Sequence, residues 1–315
     1  MENWLAALAA LGAVALARVA LKALSCAAGA VRSGKSPRAY GNWVVITGAT
    51  DGIGKAMCFE FAKKGMNVFL MSRTESKLKA AAEEIKAAVG GAIETKYLAV
   101  DFSNFDKPAQ ERVRDALSKL DGFGILVNNV GMSYPFPLYF DELTEEDVSG
   151  LLELNINATT WMTRIAIPLM LPNKKGCILN IGSAAGLHPS PLLAIYSATK
   201  AYVETLSHAL NTEYKRKGID VQAHVPLFIV SKLSKYKKPT MFIPSAETYA
   251  KESLATLGLD PVVSPHFLHR VASWTMDQMP SWLLQKQMLS MHLGIRAKGL
   301  KKRAREEAAA AEGSK

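Results

Sequence analysis

In Trp43-Val-Val-Ile-Thr-Gly48-Ala-Thr-Asp-Gly52-Ile-Gly54 a short apolar run passes directly into a glycine-rich turn. The residues that follow, Lys55 to Lys64, have a helical pattern with Met57, Phe59 and Phe61 among the apolar positions. Glycines at a strand-to-helix junction let the backbone approach a pyrophosphate, which then sits at the positive end of the helix. The spacing is TGxxxGxG and not the GxGxxG of the usual dinucleotide fingerprint. A tight turn needing positive φ would use the same glycines, so the pattern alone leaves both readings open. On the first reading, Gly48, Thr50, Asp51, Gly52, Ile53 and Gly54 lie against the phosphates. A second apolar run, Asn67 to Met71, ends in Ser72-Arg73. An acid there would suit the ribose 2′-hydroxyl of NAD, whereas an arginine suits a 2′-phosphate. The expectation is therefore NADP(H), with Arg73 as the main contact beside Ser72; a solvated arginine opening the next helix is the alternative.

Outward from this point, apolar runs near 43–48, 67–71, 95–100, 124–129, 176–182 and 219–225 alternate with helical patterns. Such alternation predicts an α/β fold of Rossmann type, a doubly wound and mostly parallel sheet. No internal repeat is visible.

A second constellation lies downstream. Tyr196 and Lys200 stand four apart in Tyr-Ser-Ala-Thr-Lys, and Ser183 lies thirteen residues before Tyr196 in Gly-Ser-Ala-Ala-Gly. Spacing of four puts phenol and ammonium on one helical face. A phenol normally titrates near pH ~10, and a neighbouring cation favours its ionised form. With a serine hydroxyl to hold the substrate oxygen, the trio can pass a proton to or from a carbonyl. A Tyr and a Lys at this spacing also arise by chance in many helices.

Taken together, these motifs resemble the short-chain dehydrogenase/reductase family, and others fall in the family's order. Asp101 in Val-Asp-Phe matches the acid near the adenine. Asn128-Asn129-Val-Gly131 matches the stretch that closes the fourth strand. Asn155, thirteen residues before Pro168, matches the family's fourth catalytic residue. The family's Pro-Gly pair after the sixth strand is Pro226-Leu227 here, which leaves backbone at Ile229 as the expected carboxamide contact. WVVITGATDGIGKA, ILVNNVGMSYPFP, NIGSAAGLHPSPLLAIYSATKAYVE and MPSWLLQKQMLSM are similar to the membrane-bound 3-oxoacyl-CoA reductases of very-long-chain fatty acid elongation. The resemblance implies a catalytic set of Asn155, Ser183, Tyr196 and Lys200, with Tyr196 and Lys200 also touching the cofactor. It further implies an acyl-CoA substrate, other elongation enzymes as partners, a possible homodimer, and an endoplasmic reticulum membrane with the catalytic domain facing the cytosol. The rivals are a 17β-hydroxysteroid dehydrogenase and a plastid 3-oxoacyl-acyl-carrier-protein reductase; about 70 residues after Ser245 argue against the second. A binding scaffold that uses the fold without turnover is a third class, disfavoured by four intact catalytic positions.

Net charge is +10 over 315 residues, but Gly41 to Val225 holds 19 basic and 20 acidic side chains. The excess belongs to the ends: +4 over residues 1–40 and +7 over 226–315. Basic flanks beside apolar segments fit an anionic membrane surface better than nucleic acid. Cys26, Cys58 and Cys177 are too few and too scattered for a disulfide framework, and no metal is expected, His266 and His269 being the only close histidines. Asn3 to Ala17 is uncharged, so residues 1–31 suggest a membrane anchor if Arg18 and Lys22 snorkel; a targeting peptide and a soluble helix are the alternatives. The expected organisation is anchor and linker over 1–40, a catalytic NADP-binding domain over 41–245, and a helical, basic, membrane-associated extension over 246–315. Within it, 262–295 reads either as a membrane element with interfacial tryptophans or as helix packed on the catalytic domain or a partner subunit. Lys232, Lys235, Lys237 and Lys238 follow the sixth strand and offer charge either to a CoA phosphate or to solvent and membrane.

Overall fold

A computed structural model describes residues 4–7, 9–14, 16–17, 20–21 and 32–313. Seven strands form one parallel sheet: β1 (Trp43–Thr47), β2 (Asn67–Ser72), β3 (Thr95–Ala99), β4 (Phe123–Asn128), β5 (Gly176–Ile181), β6 (Ile219–His224) and β7 (Val262–Val263). Their spatial order is 3-2-1-4-5-6-7. Strand order therefore reverses between β1 and β4, and the crevice for a ligand opens there, outside the strands' C-terminal ends.

The strands are apolar throughout because both faces of the sheet are covered. In β1, Val44 and Ile46 join one core while Trp43 and Val45 join the other, the two-residue alternation of a strand. On the first face lie α1 (Gly52–Lys63), α2 (Glu75–Ala88) and α8 (Ala246–Ala255). On the second lie α3 (Lys107–Ser118), α5 (Ala158–Met170) and α7 (Ala194–Tyr214). Local chemistry starts several of these helices: Asp51 caps α1, and the Asp106 carboxylate accepts from the Ala109 N–H at 2.9 Å ahead of Pro108 in α3.

Two features go beyond the sequence reading. The segment that carries Asn155 is α4 (Glu145–Leu152), then a π turn over Glu153–Asn157, then α5. The sheet also continues past residue 245: α8 packs in its first core, and β7 pairs with β6 through Ala223 and His224. Beyond β7, α9 (Phe267–Gln278) and the long α10 (Ser281–Gly313) lie against the catalytic domain. His292 on α10 meets the Pro191 carbonyl at 2.6 Å, and Arg303 stacks its guanidinium on Phe136. Among the described residues no helix is long and apolar enough to cross a membrane. The anchor expected over 1–31 falls largely on residues outside those described; the described positions between 4 and 21 are helical.

Candidate active site

The inward stripe of α7 decides what this crevice can do. A helix laid on a sheet normally offers apolar residues at every third or fourth place; α7 instead buries Ser197, Lys200, Glu204 and Ser207. Each polar group needs a partner to lie there. The Ser197 hydroxyl donates to the Ala185 carbonyl at 2.5 Å, and Ser207 accepts from the Asn180 amide at 2.8 Å. The Lys200 ammonium donates to the Ile181 carbonyl, the last residue of β5, at 2.7 Å. α7 is thereby pinned along the C-terminal half of β5.

Ser183 lies two residues past β5 and caps the short α6 (Ala184–Leu187), its hydroxyl accepting from the Ala185 N–H at 3.2 Å. Tyr196 projects from the first turn of α7 beside it. Burial pushes the phenol pKa up, the Ser183 hydroxyl pulls it back and the Glu204 charge adds to the rise. The lowering of the phenol by Lys200 that the spacing suggested is not the governing effect: the ammonium is engaged by β5 and sits 5.8 Å from the Tyr196 ring centre. Tyr196 is thus protonated at neutral pH, the form from which a general acid starts. Burial also draws Lys200 down to about 8, with Glu204 opposing.

Asn155 occupies the middle of the π turn and is 1% exposed. Its side chain accepts from the Met132 N–H at 2.9 Å and donates to the Met132 carbonyl and to Thr199 on α7, both at 3.0 Å. The extra residue in the turn aims Asn155 inward, so it ties the segment after β4 to α7 one position before Lys200.

The glycine turn lies at the reversal point. Gly48 and Gly52 have φ of +65° and +52°. A Cβ on Gly54 would overlap the Gly48 carbonyl and the Asn129 amide, whereas one on Gly52 would meet nothing nearer than Ser231 Cβ at 3.8 Å. The turn is thus tight toward the protein and open toward the crevice, with the Ile53 and Gly54 N–H groups of the first turn of α1 behind it. Those residues fit a dinucleotide pyrophosphate. Asn129 braces the turn, its amide donating to the Thr47 carbonyl at 2.9 Å. Thr50 and Ser72 share a hydrogen bond of 3.1 Å between the ends of β1 and β2. Arg73 is exposed just beyond β2. Asp101 follows β3; against partial desolvation, Ser103 and the charge of Arg73 hold its carboxyl below the usual range. Ile229, after β6, is buried. The candidate residues therefore converge on one crevice, except that the Asp51 side chain caps α1 and pairs with Lys232 at 2.5 Å.

That ion pair, the Lys235 ammonium on the Pro135 carbonyl, and the exposed Lys237 and Lys238 show how the lysine run divides. Only the last two keep their ammonium groups outside the described bonds. The segment's base is fastened by two histidines on the α9 side. His269 accepts from the Leu227 N–H at 3.2 Å through Nδ1 and meets the Phe242 carbonyl at 3.0 Å through Nε2. His266 meets Glu252 at 2.9 Å and the Met241 carbonyl at 3.2 Å. His269 therefore orders the turn in which Pro226-Leu227 replaces the expected pair. Sequence reasoning missed His269, whose contacts span 42 positions. It also missed Glu204, although one more step of four from Lys200 reaches it.

The short chain dehydrogenase family profile matches residues 42–241, most of the chain, including the glycine turn and Asn155, Ser183, Tyr196 and Lys200. The chain belongs to the short-chain dehydrogenase family. Membership makes it an oxidoreductase and accounts for the joint presence of the glycine turn and the Ser183–Tyr196–Lys200 trio. Among relatives, the very-long-chain 3-oxoacyl-CoA reductase of Rattus norvegicus is 42% identical over 264 residues, 83% of each chain. Its Homo sapiens counterpart is 41% identical over the same share of each chain. Among solved structures, a short-chain dehydrogenase from Sphingobium yanoikuyae in complex with NADPH superposes with a TM-score of 0.64 at 28% identity. That match covers 76% of this chain and 96% of that one.

Proposed function

We propose that this chain reduces 3-oxoacyl-CoA thioesters to 3-hydroxyacyl-CoA with NADPH, as the reductive step of very-long-chain fatty acid elongation. The observation that carries the substrate class is the identity of 41–42% with reductases of that name across 83% of both chains.

The glycine turn from Gly48 to Gly54 would hold the pyrophosphate, Arg73 with Ser72 and Thr50 the 2′-phosphate end, and Asp101 and Asn129 the adenosine side, with Ile229 for the carboxamide. NADPH, when bound, supplies a hydride to the 3-carbonyl carbon. Ser183 orients the carbonyl oxygen by hydrogen bonding, and Tyr196 gives it a proton. The Lys200 ammonium stabilises the phenolate left on Tyr196 and can hand it back a proton, and Asn155 fixes α7 at the adjoining Thr199. The low exposure of Asn155 and Lys200 keeps bulk water from the proton path.

The reading places the protein at the endoplasmic reticulum membrane with this domain on the cytosolic side, beside other elongation enzymes. Exposed apolar side chains at both ends support it: Trp4, Leu5, Leu11, Val14, Leu16 and Leu21 near the start, and Trp282, Leu289, Met291 and Leu293 on α10. The basic excess on those same ends suits an anionic leaflet.

The test is substrate choice. In detergent with NADPH, long-chain 3-oxoacyl-CoA should give a kcat/KM at least tenfold above that for a 17-oxosteroid. A steroid preference would overturn the substrate assignment.

A further inference from the structure

Glu204 lies one helical turn beyond Lys200 and two beyond Tyr196, on the same buried stripe of α7. It is 7% exposed, and its Oε1 has no hydrogen-bond partner among the described residues. Burying a carboxyl with an oxygen left over is costly and calls for a reason. Its surroundings have been cleared for it: a Cβ on Gly186 would stand 2.5 Å from Oε1 and one on Gly182 3.5 Å away. The backbone N–H of Ser183 is near enough to the same carboxyl to favour its ionised form. Its charged neighbour is Lys200, and Tyr196 lies within its field. The turn after β5 presents Gly182 to it, and α6 presents Gly186. The His224 ring, the other titratable group in this region, is directed to Thr256 at 3.5 Å.

We propose that Glu204 is a positioning residue for proton transfer: it supports the Ser183 turn, whose flanking Gly182 and Gly186 pack on its carboxyl, and holds the ammonium charge on Lys200 one helical turn away. The inference rests on the proton-transfer reading of Tyr196 and Lys200. The physical logic is one of coupling across a dry site. An ammonium buried without a counter-charge sheds its proton readily. Glu204 is the carboxyl placed to prevent this, and it reaches Ser183 as well, so the substrate-orienting hydroxyl and the cation share one support. Burial raises the Glu204 pKa to about 8, with the Ser183 N–H and Lys200 pulling it down. Burial alone would take Lys200 lower than it stands. As pH rises, Glu204 becomes anionic over the range in which Lys200 would otherwise lose its charge, and the new anion holds the ammonium in place. The same anion raises the Tyr196 phenol, which keeps the donor protonated.

The experiment is the pH profile of kcat for carbonyl reduction by the full-length chain, using whichever ketone or thioester turns over. Glu204→Gln keeps the side chain's size and an acceptor oxygen beside Gly182 and Gly186 and removes the charge. Its kcat should fall by a few-fold at pH 6.5 and by roughly a further tenfold at pH 9, the alkaline limb moving down by about one unit. Glu204→Ala also removes the acceptor, so kcat should drop across the whole range while NADPH affinity holds within a few-fold. A Glu204→Gln profile parallel to the wild type, lowered or not, would overturn the proposal. Should that variant fail to fold, Glu204→Asp retains the charge, and an alkaline limb displaced by a full unit in it would equally overturn the proposal. Turnover surviving in Tyr196→Phe would instead refute the underlying proton-transfer reading, whatever Glu204 does.

Discussion

Tyr196 carries the most exposed claim at the scale of single residues. Tyr196→Phe keeps the ring and removes the one hydroxyl positioned as donor beside Ser183. Loss of a general acid costs on the order of 10²–10⁴ in rate, so kcat should fall by that range while the NADPH dissociation constant, read by fluorescence, stays within a few-fold. Full activity would remove Tyr196 from the reaction. Arg73 stands exposed beyond β2 with Asp101 nearby. Arg73→Asp should reverse the kcat/KM preference from NADPH toward NADH, since a carboxylate repels a phosphate and accepts from a hydroxyl; an unchanged ratio would assign the phosphate to another side chain. Both residues were legible because local spacing defines them: four positions on a helix, or the first residues after a strand. His269 and Glu204 were not, since what makes them matter is contact with distant backbone. A histidine in an apolar stretch says nothing about the Leu227 N–H it accepts from, and a glutamate on a helix looks solvated until Gly182 and Gly186 are seen packed around it.

Elements show the same division. The strand-turn-helix unit of β1 and α1 follows from its own residues: a continuous apolar run, glycines at positive φ, and an aspartate cap. Its tightness is testable. Gly54→Ala would drive a Cβ into the Gly48 carbonyl, which is backbone, and into the Asn129 amide, which the Thr47 carbonyl holds in place. Overpacking of this kind costs about 1–3 kcal/mol, so the variant should melt measurably earlier and bind NADPH at least tenfold more weakly. Wild-type affinity would mean the turn is not the pyrophosphate site. The π turn around Asn155 was not legible, because one added residue in a helix leaves no periodic signal strong enough to register. β7 was missed for a related reason: two residues paired to β6 gain their strand geometry from the neighbour and not from any pattern of their own. Helices α9 and α10 are rich in Trp, Met and Leu, which suggested a membrane element. Part of that apolar surface covers the catalytic domain, with Leu284 and His292 buried against it.

For the molecule as a whole, buried histidines link stability to acid. Burial takes His224 down to about 3 and His269 to about 4. These folded values lie below the ordinary unfolded value near 6.5, so their contribution is complete above pH ~6.5 and is lost as pH falls through that value toward the folded pKa. His224→Gln removes one such group. Its unfolding free energy, followed by urea between pH 7 and pH 5, should fall less steeply than the wild type's, by ~1.4 kcal/mol per pH unit at most; identical slopes would show that His224 is not buried neutral. The account as a whole turns on one reaction. The full-length protein in detergent, given NADPH and a long-chain 3-oxoacyl-CoA, should consume cofactor and form 3-hydroxyacyl-CoA in equal amounts when both are quantified in the same sample. NADPH consumption without hydroxyacyl product, or an inert thioester alongside a reduced steroid, would contradict it.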